Sequence, residues 1–438
     1  MDLSEPVLAL GKLALIFALI LVLMRLKVTL WLSIVIGSLT VAVLAGLRLA
    51  EWLDILLKSL TNQGFAILML MIFLILLLSS VQEASGQSRK MVRGLAYHLL
   101  SPRLRLVLFP ALVGLLPMPG GALFSCPMVK AMAQGMDITN KRQSLINYWF
   151  RHIWELAWPL YPGYVLVCAL LNIPLTKLWL YTFPVAMAAF GVGWFFFIRN
   201  LPSSMTEQQE RILAAEKPEE KSLGEVLLHA LPIAVVLIGA VVFGILFDRL
   251  FPQLPGPLAF CASLVAAIGV ALRQGRGEIM KPLRKIAFTP NIGRIFLLMA
   301  AIYVFKDTVA GSGLIASLSQ LSDSGAMLVL SFILLPFVSG LLTGLCVGFV
   351  GLSFPLLIGL LPHSPLQEYT LPMLVLAMVA GNCGQLLTPV HVCLVVTAEF
   401  FTTTLPELLR SLLLPVMALG LVGSLWALLL FLFTAFRV

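Results

Sequence analysis

Apolar residues in this chain come in long unbroken blocks rather than in the short alternations of a half-exposed strand or a surface helix. A helix needs about 20 residues to cross roughly 30 Å of hydrocarbon. Blocks of that order lie near 6–24, 28–49, 64–82, 145–171 and 177–198, and again near 226–247, 257–273, 293–310, 371–397 and 408–435. Between the two sets stands the one long polar segment, NLPSSMTEQQERILAAEKPEEKSLGE at 200–225, which reads as a solvated linker with a short surface helix. The pattern therefore predicts an all-α polytopic membrane protein of two halves, each with five spans.

Each half holds one further apolar stretch that is interrupted too early for a simple span. Leu104 to Pro117 runs into PMPGG and then a short run to Gln134; Met327 to Leu342 runs into TGLCVGFVG and on to Leu361. Both read as re-entrant hairpins, since irregular backbone at membrane depth is tolerated only where protein or water covers it. The halves also share residues in order. Pro110 and Gly114 match Pro336 and Gly340 at an offset of 226, Pro127 matches Pro355 at 228, and ELAWP (155–159) matches QLLTP (385–389) at 230. An internal repeat is expected. It divides the chain into scaffold spans (1–100), a hairpin, interrupted helix and span (101–199), the linker (200–225), and the corresponding second-half segments (226–325 and 326–438).

Composition agrees with the pattern. A mean hydropathy of +1.02 excludes a soluble globular class. The net charge of +9 does not call for nucleic acid, because basic residues beside apolar spans set orientation. With the N-terminus outside, 21 of the 29 Lys and Arg fall on the cytoplasmic side, seven fall outside, and Arg151 lies within a span. The halves are then inverted, both termini are exterior, and the protein belongs in the cytoplasmic (inner) membrane of a prokaryote. The N-terminus MDLSEP is acidic and no cleavage site follows, so the first apolar run is expected to be retained as a span. The six cysteines form no CxxC pair and no zinc-type spacing, so no metal or cofactor is expected.

Chemistry concentrates in NYWFRHIWELAWPLYPG (147–163), where Arg151, His152 and Glu155 share one face if the segment is helical. Ionisable residues at membrane depth mark a functional site by default, the alternative being an Arg–Glu clasp that only locks helices. The repeat places Asn382 and Gln385 opposite His152 and Glu155, with Thr388 beside Pro389 breaking the second helix. Hairpin tips supply the other wall: Pro119, Gly120, Gly121 and Ser125 in the first half, Thr343, Gly344 and Gly348 in the second. Glycines where a helix restarts leave N–H groups free for an anion, although they also serve close helix packing. Lys306–Asp307, Glu399, Glu407 and Lys12 read as interfacial or locally paired.

The order of spans, hairpin and broken helix resembles the ion transporter superfamily, which includes citrate, dicarboxylate and arsenite permeases. Locally, LLPMPGGALFSCPMV and GNCGQLLTPVHVCLVVT resemble a membrane family described only as a domain of unknown function. The superfamily resemblance implies an elevator mechanism and a homodimeric scaffold. It places hairpin-tip roles on Pro119, Gly120, Gly121, Thr343 and Gly344, and broken-helix roles on His152, Glu155, Asn382, Gln385 and Thr388. The Ser-Asn-Thr tips of sodium-coupled members are missing here, which favours proton coupling through Glu155 and His152, or exchange. The expected function is secondary transport of a small anionic solute and not enzymatic. A lipid-phosphate flippase is the alternative, and an intramembrane enzyme using His152 and Glu155 is a third reading that no HExxH or GxSxG pattern accompanies.

Overall fold

The computed structural model describes residues 4–87, 90–91, 94–95, 101–115, 121–202, 222–275, 279–287, 290–317 and 324–436. The regular structure among those residues is helical, with no strand. In the first half the helices are α1 (Ser4–Arg25), α2 (Leu30–Leu44), α3 (Leu49–Thr61), α4 (Gln63–Ala84), α5 (Pro102–Gly114), α6 (Gly121–Met132), α7 (Asn140–His152), α8 (Pro162–Leu171) and α9 (Leu175–Gly193). The second half holds α10 (Leu223–Leu250), α11 (Pro257–Gln274), α12 (Met280–Ala287), α13 (Pro290–Gly311), α14 (Gly325–Thr343), α15 (Cys346–Leu360), α16 (Thr370–Leu386), α17 (Val392–Phe400) and α18 (Leu405–Ala435). Seven of the described helices are long and apolar enough to cross a membrane. The chain is thus an all-α integral membrane protein.

Two departures from the sequence pattern are informative. The apolar block near 28–49 stops at Leu44, and α3 follows as a separate amphipathic helix whose capping Arg48 bonds Glu51 through both backbone and guanidinium. The Arg48 backbone N–H, and then its side chain, hold the Glu51 carboxyl below its usual range. The second departure is α14. Its 19 residues make it long enough to cross unaided, where the sequence pattern gave a shorter arm. By contrast α5, with 13 residues, is only about 20 Å long.

Both helices expected to be interrupted are broken. In the first, α7 stops at His152, residues 153–161 form turns, and Pro162 opens α8, where its missing N–H costs nothing. In the second, α16 gives way at Leu387, and Pro389 keeps Thr388 out of helical backbone until α17 begins. The first break leans on α5. Trp154 donates to the Ala111 carbonyl at 2.9 Å, Trp158 to Leu115 at 2.7 Å and Tyr161 to Gly114 at 2.5 Å. A helix end leaves its last carbonyls without intrahelical donors, and the two indoles and the phenol supply them here.

The broken helices meet at one end. Asn140 donates to Thr402 at 3.5 Å, Ser144 and Thr403 share a 3.2 Å hydrogen bond, and Lys141 pairs with Glu407 at 3.5 Å. Around them α1–α4, α10, α11 and α13 pack on one another. There Ser38 bonds Thr308 at 2.9 Å, and Asp307 accepts from Ser59 at 2.6 Å while pairing with Lys306 at 3.1 Å. Lys12 donates to the Leu44 carbonyl at 2.9 Å, so these ionisable groups are satisfied locally.

Candidate polar centre at the two helix breaks

The two breaks face each other across a buried polar centre. Glu155, in the turn after α7, accepts a 2.5 Å hydrogen bond from Gln385 near the end of α16. These are the two residues that the repeat alignment equates. Because α7 ends at His152, Glu155 does not continue a helical face with Arg151; the expected i,i+4 arrangement stops where the helix does. Arg151 instead donates to Cys393 Sγ on α17 at 3.0 Å. His152 Nδ1 lies 2.5 Å from the Tyr148 carbonyl, and its Nε2 is 4.0 Å from Glu155 Oε1.

Close helix approach fixes the backbone of this centre. A Cβ at Gly114 would sit 3.1 Å from the Arg151 carbonyl carbon, and one at Gly340 would sit 3.1 Å from that of Gly381. The two pairs occupy matching positions in the two halves, so α5 touches α7 as α14 touches α16. Tyr148 donates to the Leu386 carbonyl at 3.3 Å, which joins α7 to the end of α16.

Of the expected hairpin residues, Gly121 opens α6, and a Cβ there would fall 3.0 Å from Arg151 Cζ and Nε. The guanidinium thus lies against the first described turn of α6. Ser125 is buried but turned to the Gly121 and Ala122 carbonyls of its own helix, at 3.3 and 3.5 Å. Pro119 and Gly120 lie outside the described residues. At the junction of α14 and α15 Thr343 bonds the Ser339 carbonyl at 2.8 Å, Gly348 packs on Thr343, and Gly344 has a φ of +63°, which glycine adopts without strain. Gly344 also lies against Thr388 and His391. Thr388 accepts from the Val390 N–H at 3.4 Å within the break, and Asn382 is buried three residues before Gln385.

Three residues of the centre were not singled out from the sequence: Tyr148, His391 and Cys393. The His391 ring lies 4.6 Å from that of His152 and 5.4 Å from that of Tyr148, centroid to centroid. The signal was present as HVC one residue after Thr-Pro, where a helix restarts. Its partners lie some 240 residues earlier in the chain, so no local spacing rule reaches them.

Fold and site together define an integral membrane protein of the all-helical class, with a buried polar centre where two broken helices oppose each other. The chain belongs to the family described as Protein of unknown function (DUF401), whose profile matches residues 9–431. No curated protein matches it.

Proposed function

We propose that the protein is a secondary transporter for a small anionic solute, working by an elevator-type movement of the hairpins and broken helices against the remaining spans. The observation that carries this reading is Arg151, a cation only 6% exposed, held against the first residue of α6 and facing a second broken helix. A helix start presents backbone N–H groups and the positive end of its dipole, so cation and helix together suit an anion. An inverted repeat is supported by the direct bond between Glu155 and its repeat counterpart Gln385 and by the matched Gly114 and Gly340 contacts.

Coupling is assigned to Glu155. Protonating its carboxyl removes a negative charge close in sequence to Arg151, so proton and anion binding favour one another through a shared charge. His152, with Nε2 directed to Glu155, lies where it can relay that proton. Elevator motion, proton coupling and a homodimeric scaffold are parts of this proposal. The flippase alternative has less support, because it needs a site open to lipid and Arg151, His152 and Glu155 are all buried.

Reconstituted protein is the test. Acid-outside vesicles are offered a panel of labelled di- and tricarboxylates and oxyanions, and counterflow is measured in parallel. Glu155→Gln, which keeps the shape and the bond to Gln385, is expected to abolish proton-driven accumulation and spare exchange. Accumulation with an unaltered pH profile would show that Glu155 does not couple, and Arg151, His152 and Glu155 would return to a structural clasp.

A further inference from the structure

His152 from the first break and His391 and Cys393 from the second bring two imidazoles and a thiol together. Their ligand atoms all lie within 4.8 Å of one another. The two histidines are 2% and 4% exposed, yet among the described residues His152 Nε2 and both ring nitrogens of His391 lack a hydrogen-bond partner. Buried polar atoms in native proteins are nearly always satisfied, so orphaned nitrogens converging on a thiol point to a missing partner.

We propose that His152, His391 and Cys393 form a binding site for a divalent transition-metal ion of the zinc class. This goes beyond the transport reading, which rests on Arg151 and Glu155; an ion bound here would occupy His152 Nε2 and take that nitrogen out of the proton relay. The donor set is the first argument: neutral imidazole and thiolate suit zinc, whereas calcium and magnesium take oxygen ligands. Geometry is the second. Zinc bonds of about 2.0–2.3 Å at tetrahedral angles put donors roughly 3.3–3.6 Å apart, so the observed 4.8 Å limit leaves at most roughly 1.5 Å of side-chain closure.

The surroundings supply orientation and charge. The Tyr148 carbonyl, 2.5 Å from His152 Nδ1, takes that N–H and leaves Nε2 as the free donor atom, which is how metal-binding histidines are usually held. Arg151 donates to Cys393 Sγ at 3.0 Å, which sets the sulfur beside a guanidinium and fixes its position. Glu155 Oε1, 4.0 Å from His152 Nε2, is an adjacent carboxylate. Thiolate and carboxylate together offset the two charges of the ion, which keeps a cation tolerable beside Arg151.

The experiment uses full-length protein in detergent, stripped with a chelator and titrated with Zn(II) against a chromophoric competitor, and separately with Co(II). One zinc per chain is expected, together with a thiolate-to-cobalt charge-transfer band. Cys393→Ser and His391→Ala should each weaken zinc by at least about tenfold, the lower end of what even outer contacts cost a metal site. Cys383→Ser, whose thiol faces the Val416 carbonyl, should leave it unchanged. Should the ligand variants fail to fold, wild-type protein still decides: zinc should slow alkylation of Cys393, read by peptide mass spectrometry, and leave Cys383 unaffected. Absence of stoichiometric zinc, a cobalt spectrum without thiolate character, or no protection of Cys393 would overturn the proposal.

Discussion

A single hydrogen bond separates the two roles that Glu155 can play in stability. Gln385 donates to it at 2.5 Å inside a site where both side chains are nearly inaccessible. Glu155→Gln leaves a carbonyl oxygen to accept that bond, so little stability should be lost. Glu155→Ala leaves the Gln385 amide unpaired, at a cost of about 1–3 kcal/mol. Thermal unfolding in detergent should therefore rank the wild type and Glu155→Gln together above Glu155→Ala; equal losses in both variants would mean that the bond contributes nothing. Glycines give a sharper contrast at the same scale. Gly114 meets the Arg151 backbone, which cannot swing aside, so Gly114→Ala should cost about 1–3 kcal/mol by overpacking. Gly191 on α9 faces open space, and there Gly191→Ala should be neutral or stabilise by up to about 1 kcal/mol through helix propensity.

Helix breaks are costly elements unless their loose backbone groups are paired, and the first break shows how this one persists. Backbone turn bonds link Trp158 to Trp154 and Tyr161 to Trp158, and the side chain of each of the three reaches a carbonyl at the end of α5. Replacing Trp158 by Phe keeps the ring volume in part and frees the Leu115 carbonyl, so hydrogen exchange should quicken at residues 153–161 and leave α16 unchanged. Uniform quickening across the bundle would instead mean that the indole acts through general packing. The breaks themselves were legible in the sequence, because Pro159, Pro162 and Pro389 interrupt apolar runs and proline restricts its predecessor. Glu155 and Gln385 stand opposite each other in the offset-230 match between the halves, and a hydrogen bond joins them in the structure. What could not be read was the end of α7 at His152, because nothing in IWELAW forbids helix and the turn is imposed by α5 from outside. His391 and Cys393 escaped for a different reason: they follow a recognised break, but only folding across the two halves brings His152 to them.

At the scale of the whole molecule, the asymmetry of basic residues predicts that both termini face outward and that the 200–225 linker faces the cytoplasm. In a Cys-free background, a cysteine replacing Ser204 should resist an impermeant maleimide in intact cells and react once they are opened. Reaction in intact cells would reverse the orientation. The mechanism makes a stronger demand on the assembly. If α5–α8 and α14–α17 travel as one body past α13 and its neighbours, a covalent tie across that boundary should stop transport, whereas a tie within the body should not. Gly351 on α15 lies against Ile302 on α13, close enough that a Cβ added at Gly351 would meet the Ile302 side chain, and this contact crosses the boundary. Ser144 on α7 and Thr403 at the end of α17, whose hydroxyls are 3.2 Å apart, lie within the body. Disulfides require Cβ atoms near 3.8 Å, and in both pairs the two residues already touch. Oxidising the Ile302→Cys, Gly351→Cys pair should therefore abolish counterflow and reduction should restore it, while the Ser144→Cys, Thr403→Cys pair should transport in either state. Because counterflow needs no gradient, loss of coupling cannot imitate the first result. If the oxidised Ile302–Gly351 pair exchanges solute at the reduced rate, α13 and α15 do not part during transport, and the moving body must be smaller than the elevator reading requires.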